Sequence, residues 1–386
     1  MTSSRILFIS QDYSTHARRF LAGLAEAGHA VWFLPCEARN RDHELSSIAA
    51  SIKHLPPLEL SELSCNLTGC LESYKRLRDV VERVRPQLVL AGPLHTGGFL
   101  AALAETHPLI VMSWGYDVLS VAKGSEWLDS VTRFTLSQAD LVLGDCEAVR
   151  NEVCELAGLP RDRVLCFPWG IDLQRFRPDA RPIGLRKRFG WRNNRVIVTA
   201  RSLEPVHGTM QLLEGIEIAL RKRCDARVVM LGDGSLRACV EAFIEDRGLR
   251  DKIRVIGRVA EEELPGYFVE ADLYVSAAPC DGSSISLLEA MGCGLAAIVP
   301  DVGGNKEWIL PKKNGWRYPL GKSDALAAAT NEALGRDEVR RKMGLANVRI
   351  VRERADWNHT FRRFLDLCDR LTAICPAAEA LSYAQL

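Results

Sequence analysis

The stretch LYVSAAPCDGSSISLLEAMGCGLAAIVP, residues 273–300, decides the fold. Its β-branched and aromatic opening runs out through small residues into the turn pair Asp281-Gly282, which reads as a strand ending in a loop. Ser283 or Ser284 stands where a helix cap belongs, Ile285–Met291 forms a short apolar helix, and Gly292 and Gly294 stop it. LAAIVP (295–300) follows as a second, wholly apolar strand. Strand, helix and strand in that order, with both strands apolar throughout, is the pattern of parallel strands buried on both faces.

Working outward, the same alternation fills the chain. RILFIS (5–10), HAVWFLPC (29–36), QLVLAG (87–92), LIVMSW (109–114), DLVLG (140–144) and VLCFPW (164–169) read as strands separated by amphipathic helical segments. GIDLQRFRPDARPIG (170–184), with three structure-breaking residues at Pro178, Pro182 and Gly184, interrupts the rhythm and reads as a linker. RVIVTA (195–200), ARVVMLG (226–232), KIRVIG (252–257) and the opening stretch then restart it, and from about Ser323 the chain is helical and polar. The expected fold class is therefore α/β, with two doubly wound, Rossmann-like domains in tandem. Ligands of such sheets bind outside the carboxyl ends of the strands, so two facing domains imply a cleft.

Composition narrows the function classes. A chain of 386 residues exceeds what one core usually serves, and a net charge of +1 excludes the basic domain that nucleic acid demands. Twelve cysteines stand without a CxxC or any zinc-type spacing, so neither a disulfide frame nor a metal site is expected. No apolar run is long enough to cross a membrane and the first residues enter a strand pattern directly, so the expected compartment is the cytoplasm.

Two acids remain to be explained. Asp281 lies on the loop before the helix and Glu289 about a turn inside it, both near a helix N-terminus that is itself an anion site. Acids flanking an anion do not neutralise it. They suit hydroxyl groups on either side of it, one from each of two sugars, although a capped surface helix with a solvated Glu has the same spacing.

Here the residues carry a resemblance. Asp281 to Glu289 resembles the Glu-x7-Glu signature of the retaining GT4 glycosyltransferases, a GT-B-fold family, with Asp in the first acidic position. LLEAMGCGLAAIVPDVGGNKEWI, LGDGSL (231–236), IGRVAEEELPGYFVEADLYVS (256–276), FPWGIDLQRFRP (167–178) and the N-terminal residues 3–35 resemble that family in the same order. The resemblance implies an acceptor-binding domain over 1–175, completed by a C-terminal helix at about 358–386, and a nucleotide-sugar domain over 176–357.

It also implies roles. Glu289 would hold ribose hydroxyls and Asp281 those of the transferred sugar, while Gly282, Ser283, Ser284 and Ile285 would receive the sugar and diphosphate. Arg201 in TARSLEPVHG (199–208) matches the family's phosphate-binding Arg. The family's following Lys is missing, and His207 stands nearby, as a phosphate donor or a helix cap. Gly232 borders the nucleotide pocket; Gly257 lies where backbone meets the base, with Arg258 solvated or steering phosphate. In the first domain His95, Trp114 and Asp117 follow strand ends and would line the acceptor site, with His16 in the first loop; Asp117 as a helix cap is the plainer reading. Arg201, Asp281 and His95 are the expected catalytic residues, with a nucleotide-sugar donor, a hydroxyl acceptor, no metal and no other cofactor. The basic face at Arg362-Arg363 is a solvated surface or one suited to the inner face of an anionic membrane.

Rival classes separate on residues. SQDYSTHARR lacks the GxGxxG of a dehydrogenase. An inverting GT-B enzyme would use a His in the first loop, where His16 stands, and a non-catalytic sugar-nucleotide sensor would share every motif.

Overall fold

The computed structural model describes residues 3–37, 51–58 and 67–374. The chain divides into two compact units, Met1–Phe167 with Thr360–Leu386, and Pro168–His359. Both are doubly wound α/β units.

In the first unit the described strands are β1 (Arg5–Ser10), β2 (Ala30–Pro35), β3 (Ile52–His54), β4 (Leu88–Gly92), β5 (Leu109–Met112), β6 (Leu141–Gly144) and β7 (Val164–Cys166). They form one parallel sheet in the order β3-β2-β1-β4-β5-β6-β7. Central strands are buried along their length, as their unbroken apolar sequences require. Helix Thr15–Glu26 is capped by Ser14, whose Oγ accepts from the Ala17 amide at 3.3 Å. Its inner face packs Phe20 edge-on against Phe364, centroids 4.9 Å apart, on helix Trp357–Ile374. That last helix buries Phe361, Phe364, Leu367, Cys368 and Leu371, a stripe at helical spacing, and so completes the first unit.

The second unit holds β8 (Arg195–Ala200), β9 (Ala226–Leu231), β10 (Ile253–Gly257), β11 (Leu273–Val275), β12 (Ala297–Pro300) and β13 (Gly315–Tyr318). Its parallel sheet runs β10-β9-β8-β11-β12-β13. Between β11 and β12 stands helix Ile285–Gly292, as the opening stretch predicts. In each sheet the strand order reverses once, between β1 and β4 and between β8 and β11, which is where such sheets open a crevice at their carboxyl ends.

The linker reading of 170–184 is corrected in part. Residues 168–175 belong to the second unit, not the first. Ile171 donates its amide to Ala355 O at 2.8 Å and accepts from the Trp357 amide at 3.0 Å, while Phe176 packs on Phe268 at 6.4 Å between centroids. Prolines mark turns here, and the apolar residues between them enter the core. Strand β13 was not anticipated, because GWRY carries neither alternation nor a β-branched run.

Candidate active site

The β8/β11 switch point brings the second unit's sequence-predicted residues together. Arg201 is the first residue beyond β8, and Asp281 sits in the loop after β11. The Arg201 guanidinium reaches across: Nη1 donates to Ser284 Oγ at 2.6 Å, and Nη2 to Asp281 Oδ1 at 2.7 Å and to His207 Nδ1 at 2.9 Å. The two side chains of the ion pair are only 16% and 8% exposed. Each keeps one buried atom without a protein partner, Arg201 Nε and Asp281 Oδ2.

The electrostatics follow from burial. Burial pushes the Asp281 carboxyl above the usual carboxylate range, with Arg201 pulling the other way. Burial also opposes the charge on Arg201, but Asp281 and Tyr274 beside it hold its pKa above the ordinary value. His207 is pushed down to about 3 by burial and by the Arg201 cation. It is neutral, and because a guanidinium only donates, Nδ1 accepts and the proton sits on Nε2. His207 is not the helix cap; that place belongs to Gly208, ahead of helix Thr209–Lys222.

Ser284 occupies the N-cap of helix Ile285–Gly292 but makes no side-chain cap bond. Its hydroxyl is turned to Arg201 instead, so the first-turn amides and the positive end of the helix dipole are left for a ligand. Ser283 is buried, and its Oγ accepts from Trp308 Nε1 at 2.9 Å, which fixes the turn from behind. The Asp281 carbonyl accepts from the Gly304 amide at 3.0 Å, tying the loop after β12 to the same place. Gly282 is buried within this turn, and Ile285 opens the helix half-buried. Glu289, in the helix's second turn, is 8% exposed and not the solvated Glu of the plainer reading.

Gly232 takes a φ of +137°, and a Cβ there would stand 2.2 Å from Arg201 O, so only glycine lets the β9 turn press on the loop that carries Arg201. Its amide donates to Gly257 O at 2.8 Å, which joins the ends of β9 and β10. Arg258, next along, is exposed. Three pairings escaped the sequence reading. Tyr274, wholly buried on β11, shares a hydrogen bond with Ser286 at 2.8 Å beneath the Arg201 fork. Asp233 pairs with Arg237 at 3.0 Å, and Glu204 binds Ser235. Glu204 and Ser235 carry no signal in sequence, since their pairing depends on how two distant loops meet, whereas the four-residue spacing of Asp233 and Arg237 is the one local cue.

In the first unit, His95 lies in a five-residue π-helical turn, Leu94–Gly98, directly after β4 at the switch point. Such turns favour functional positions. His95 is half-buried with Nδ1 lacking a protein partner, and burial lowers its pKa against the pull of Asp117. Asp117 is corrected from an acceptor contact to a strut: it is 1% exposed, Oδ1 accepts from Ser113 Oγ at 2.6 Å, and Oδ2 accepts from the Leu94 amide at 3.0 Å. It thereby anchors the turn that carries His95. Trp114 is half-buried and leans on Phe20, centroids 6.5 Å apart. His16 is the second residue of helix Thr15–Glu26, and its side chain lies outside the described residues. Among the described residues no group of three or more His, Cys, Asp and Glu is placed to hold a metal ion, and no helix is long and apolar enough to cross a membrane.

Comparison with known proteins adds to this geometry. Residues 13–170 match the family described as "Glycosyl transferase 4-like domain", and residues 185–347 match "Glycosyl transferases group 1". A GDP-mannose-dependent alpha-(1-6)-phosphatidylinositol monomannoside mannosyltransferase of Mycolicibacterium smegmatis is 26% identical over 72% of this chain and 73% of its own length. The alpha-D-kanosaminyltransferase of Streptomyces kanamyceticus is 24% identical over 87% of this chain and 83% of its own. Among solved structures, the Anabaena protein Alr3699/HepE in complex with UDP superposes with a TM-score of 0.78 at 18% identity, covering 95% of this chain and 100% of that one. Sucrose-phosphate synthase from Thermosynechococcus elongatus gives 0.81 at 16% identity, covering 96% and 100%.

Proposed function

This chain belongs to the GT4-family, GT-B-fold glycosyltransferases, and we propose that it transfers a sugar, with retention of configuration, from a UDP- or GDP-linked donor to an acceptor hydroxyl on a glycan, glycolipid or small natural product. One observation carries the donor site: the Arg201–Asp281 ion pair keeps a buried donor, Nε, and a buried acceptor, Oδ2, unused beside the uncapped start of helix Ile285–Gly292. A diphosphate supplies acceptors for the first and for the helix amides. A sugar hydroxyl supplies the donor for the second.

The chemistry follows from that placement. As the glycosidic bond breaks, charge grows on the leaving diphosphate, and Arg201 with the helix start meets it without a metal. A charge-assisted hydrogen bond contributes about 1.5–3 kcal/mol and a helix terminus about 0.3–2 kcal/mol, so Arg201 is the larger single contribution. His207 adds a neutral N–H donor from Nε2 rather than a second cation. The departing phosphate takes the acceptor's proton in front-side attack, and His95 is the first unit's residue assigned to the acceptor. Glu289 holds the ribose.

A thermal-shift panel of UDP, GDP, ADP and dTDP, followed by turnover of sugar conjugates of the nucleotide that binds, tests the reading. A shift with one of them and EDTA-insensitive transfer is the expected result. No shift with any nucleotide would sink it, and transfer abolished by chelation would remove the metal-free step.

A further inference from the structure

One side chain joins the loop after β8 to the turn after β9. Glu204 Oε1 accepts from the Ser235 amide at 2.9 Å, and Oε2 accepts from the Ser235 hydroxyl. Backbone bonds run alongside, Leu203 N to Asp233 O at 3.1 Å and Leu236 N to Leu203 O at 2.9 Å. The Glu204 carbonyl meanwhile accepts from the His207 amide at 3.0 Å and from Thr209 Oγ1 at 3.2 Å, closing the short turn Pro205–His207. That turn carries His207, whose Nδ1 holds Arg201. Nearby charges are spoken for, since Asp233 and Arg237 pair with each other and Arg237 also pairs with Glu241 at 2.9 Å.

We propose that Glu204 is a positioning residue for the transfer reaction: by gripping Ser235 it sets the loop bearing Arg201 and His207 in register with the turn at Gly232. Both Glu204 oxygens are committed to Ser235, so it acts through that loop and not on a ligand. Without the grip, the backbone bonds at Leu203 are the remaining tie between the two loops, so the His207 turn is held less firmly and the Arg201 fork loses a fixed third partner. The inference rests on the donor reading above for its kinetic consequence, and on geometry alone for the clamp.

The test uses the full chain and the variants Glu204→Ala, Glu204→Gln and Ser235→Ala. In the ligand-free protein, Glu204→Ala should speed amide exchange in 201–208 and 232–236 by about tenfold, leaving the rest of the second unit unchanged. Donor kcat/KM should fall about tenfold, the scale of a lost charge-assisted hydrogen bond. Glu204→Gln should restore most of it, because its amide accepts from the Ser235 amide and donates to the hydroxyl. Ser235→Ala, which removes the hydroxyl contact alone, should give a smaller loss in the same direction. In an Arg201→Ala background Glu204→Ala should change kcat/KM by less than about twofold, since both act through one group. Unchanged exchange in an active Glu204→Ala enzyme overturns the clamp. An undiminished tenfold loss in the Arg201→Ala background overturns the route through Arg201. A wild-type chain that exchanges as expected yet turns over no donor defeats the donor reading, and the positioning role with it.

Discussion

Arg201 and Asp281 meet as a buried ion pair, Nη2 to Oδ1 at 2.7 Å, across the two strands where the second sheet reverses its order. Breaking such a pair from one side leaves the other charge stranded, at about 3–5 kcal/mol. Asp281 escapes part of that by protonating, and its carboxyl, already raised by burial, rises further once Arg201 is gone. For a carboxyl whose folded pKa lies above its unfolded value, stability is full below the unfolded pKa and declines as pH climbs to the folded one. Arg201→Ala should therefore lie closer to wild type in denaturant unfolding near pH 4 than near pH 8. An equal gap at both pH values would show that Asp281 is not the stranded group.

A lysine at this position keeps the charge but not the fork that spans Asp281, His207 and Ser284. Arg201→Lys should lower kcat by about 10–100-fold while donor KM moves by less than about threefold. Steady-state kinetics with the preferred donor decide it, and an unchanged kcat would remove Arg201 from the leaving-group site.

Glu289 is buried in the second turn of helix Ile285–Gly292. If it holds ribose hydroxyls, Glu289→Ala should weaken the preferred nucleoside diphosphate by about 10–100-fold in calorimetry. The sharper comparison uses the 2′,3′-dideoxy nucleotide. Wild type should discriminate against it, and Glu289→Ala should not. Discrimination that survives the substitution would place the ribose elsewhere.

Much of this site was legible because its pieces are local. Asp281, Ser284 and Glu289 lie within one strand–turn–helix unit, so the sequence places all three near one helix start, while their roles came from the resemblance. Arg201 was singled out by the resemblance, as the Arg that follows the first strand of the second domain. What escaped was non-local. Glu204 and Ser235 are 31 residues apart, and nothing in either segment announces the other. Asp117 reads as a cleft residue from its place after β5, yet its side chain turns inward, because Ser113 and the Leu94 amide offer it partners. The domain boundary was misplaced because prolines around Ile171 and Phe176 look like a linker, whereas burial of those two side chains assigns them to the second core.

Gly208 offers a test of how tightly the loop is held. It adopts a φ of +65°, and a Cβ would fall 2.1 Å from Ala277 O, a backbone atom at the carboxyl end of β11. Gly208→Ala should cost at least about 2 kcal/mol, combining left-handed strain with a clash that only backbone movement relieves. Thermal unfolding and donor kcat/KM should fall together. Full stability with full activity would mean that the loop has room the structure does not show.

His207 turns the missing family lysine into a question about charge. Its Nδ1 accepts from Arg201 at 2.9 Å, and burial with that cation depresses its pKa to about 3. The unfolded chain takes up this proton below about pH 6.5, whereas the native chain resists it until about 3. The stability His207 contributes is thus complete above 6.5 and is lost as pH falls toward 3. Glutamine at 207 accepts from Arg201 and donates from its amide without titrating, so the acid limb of a melting-temperature curve should be shallower in His207→Gln. Over about pH 5.5–8 the kcat/KM profile should keep one shape in both proteins, because a neutral imidazole has no proton to gain there. A wild-type limb near pH 6.5 that vanishes in His207→Gln would mean that the imidazole works as a cation, restoring the second positive charge that the family's lysine provides.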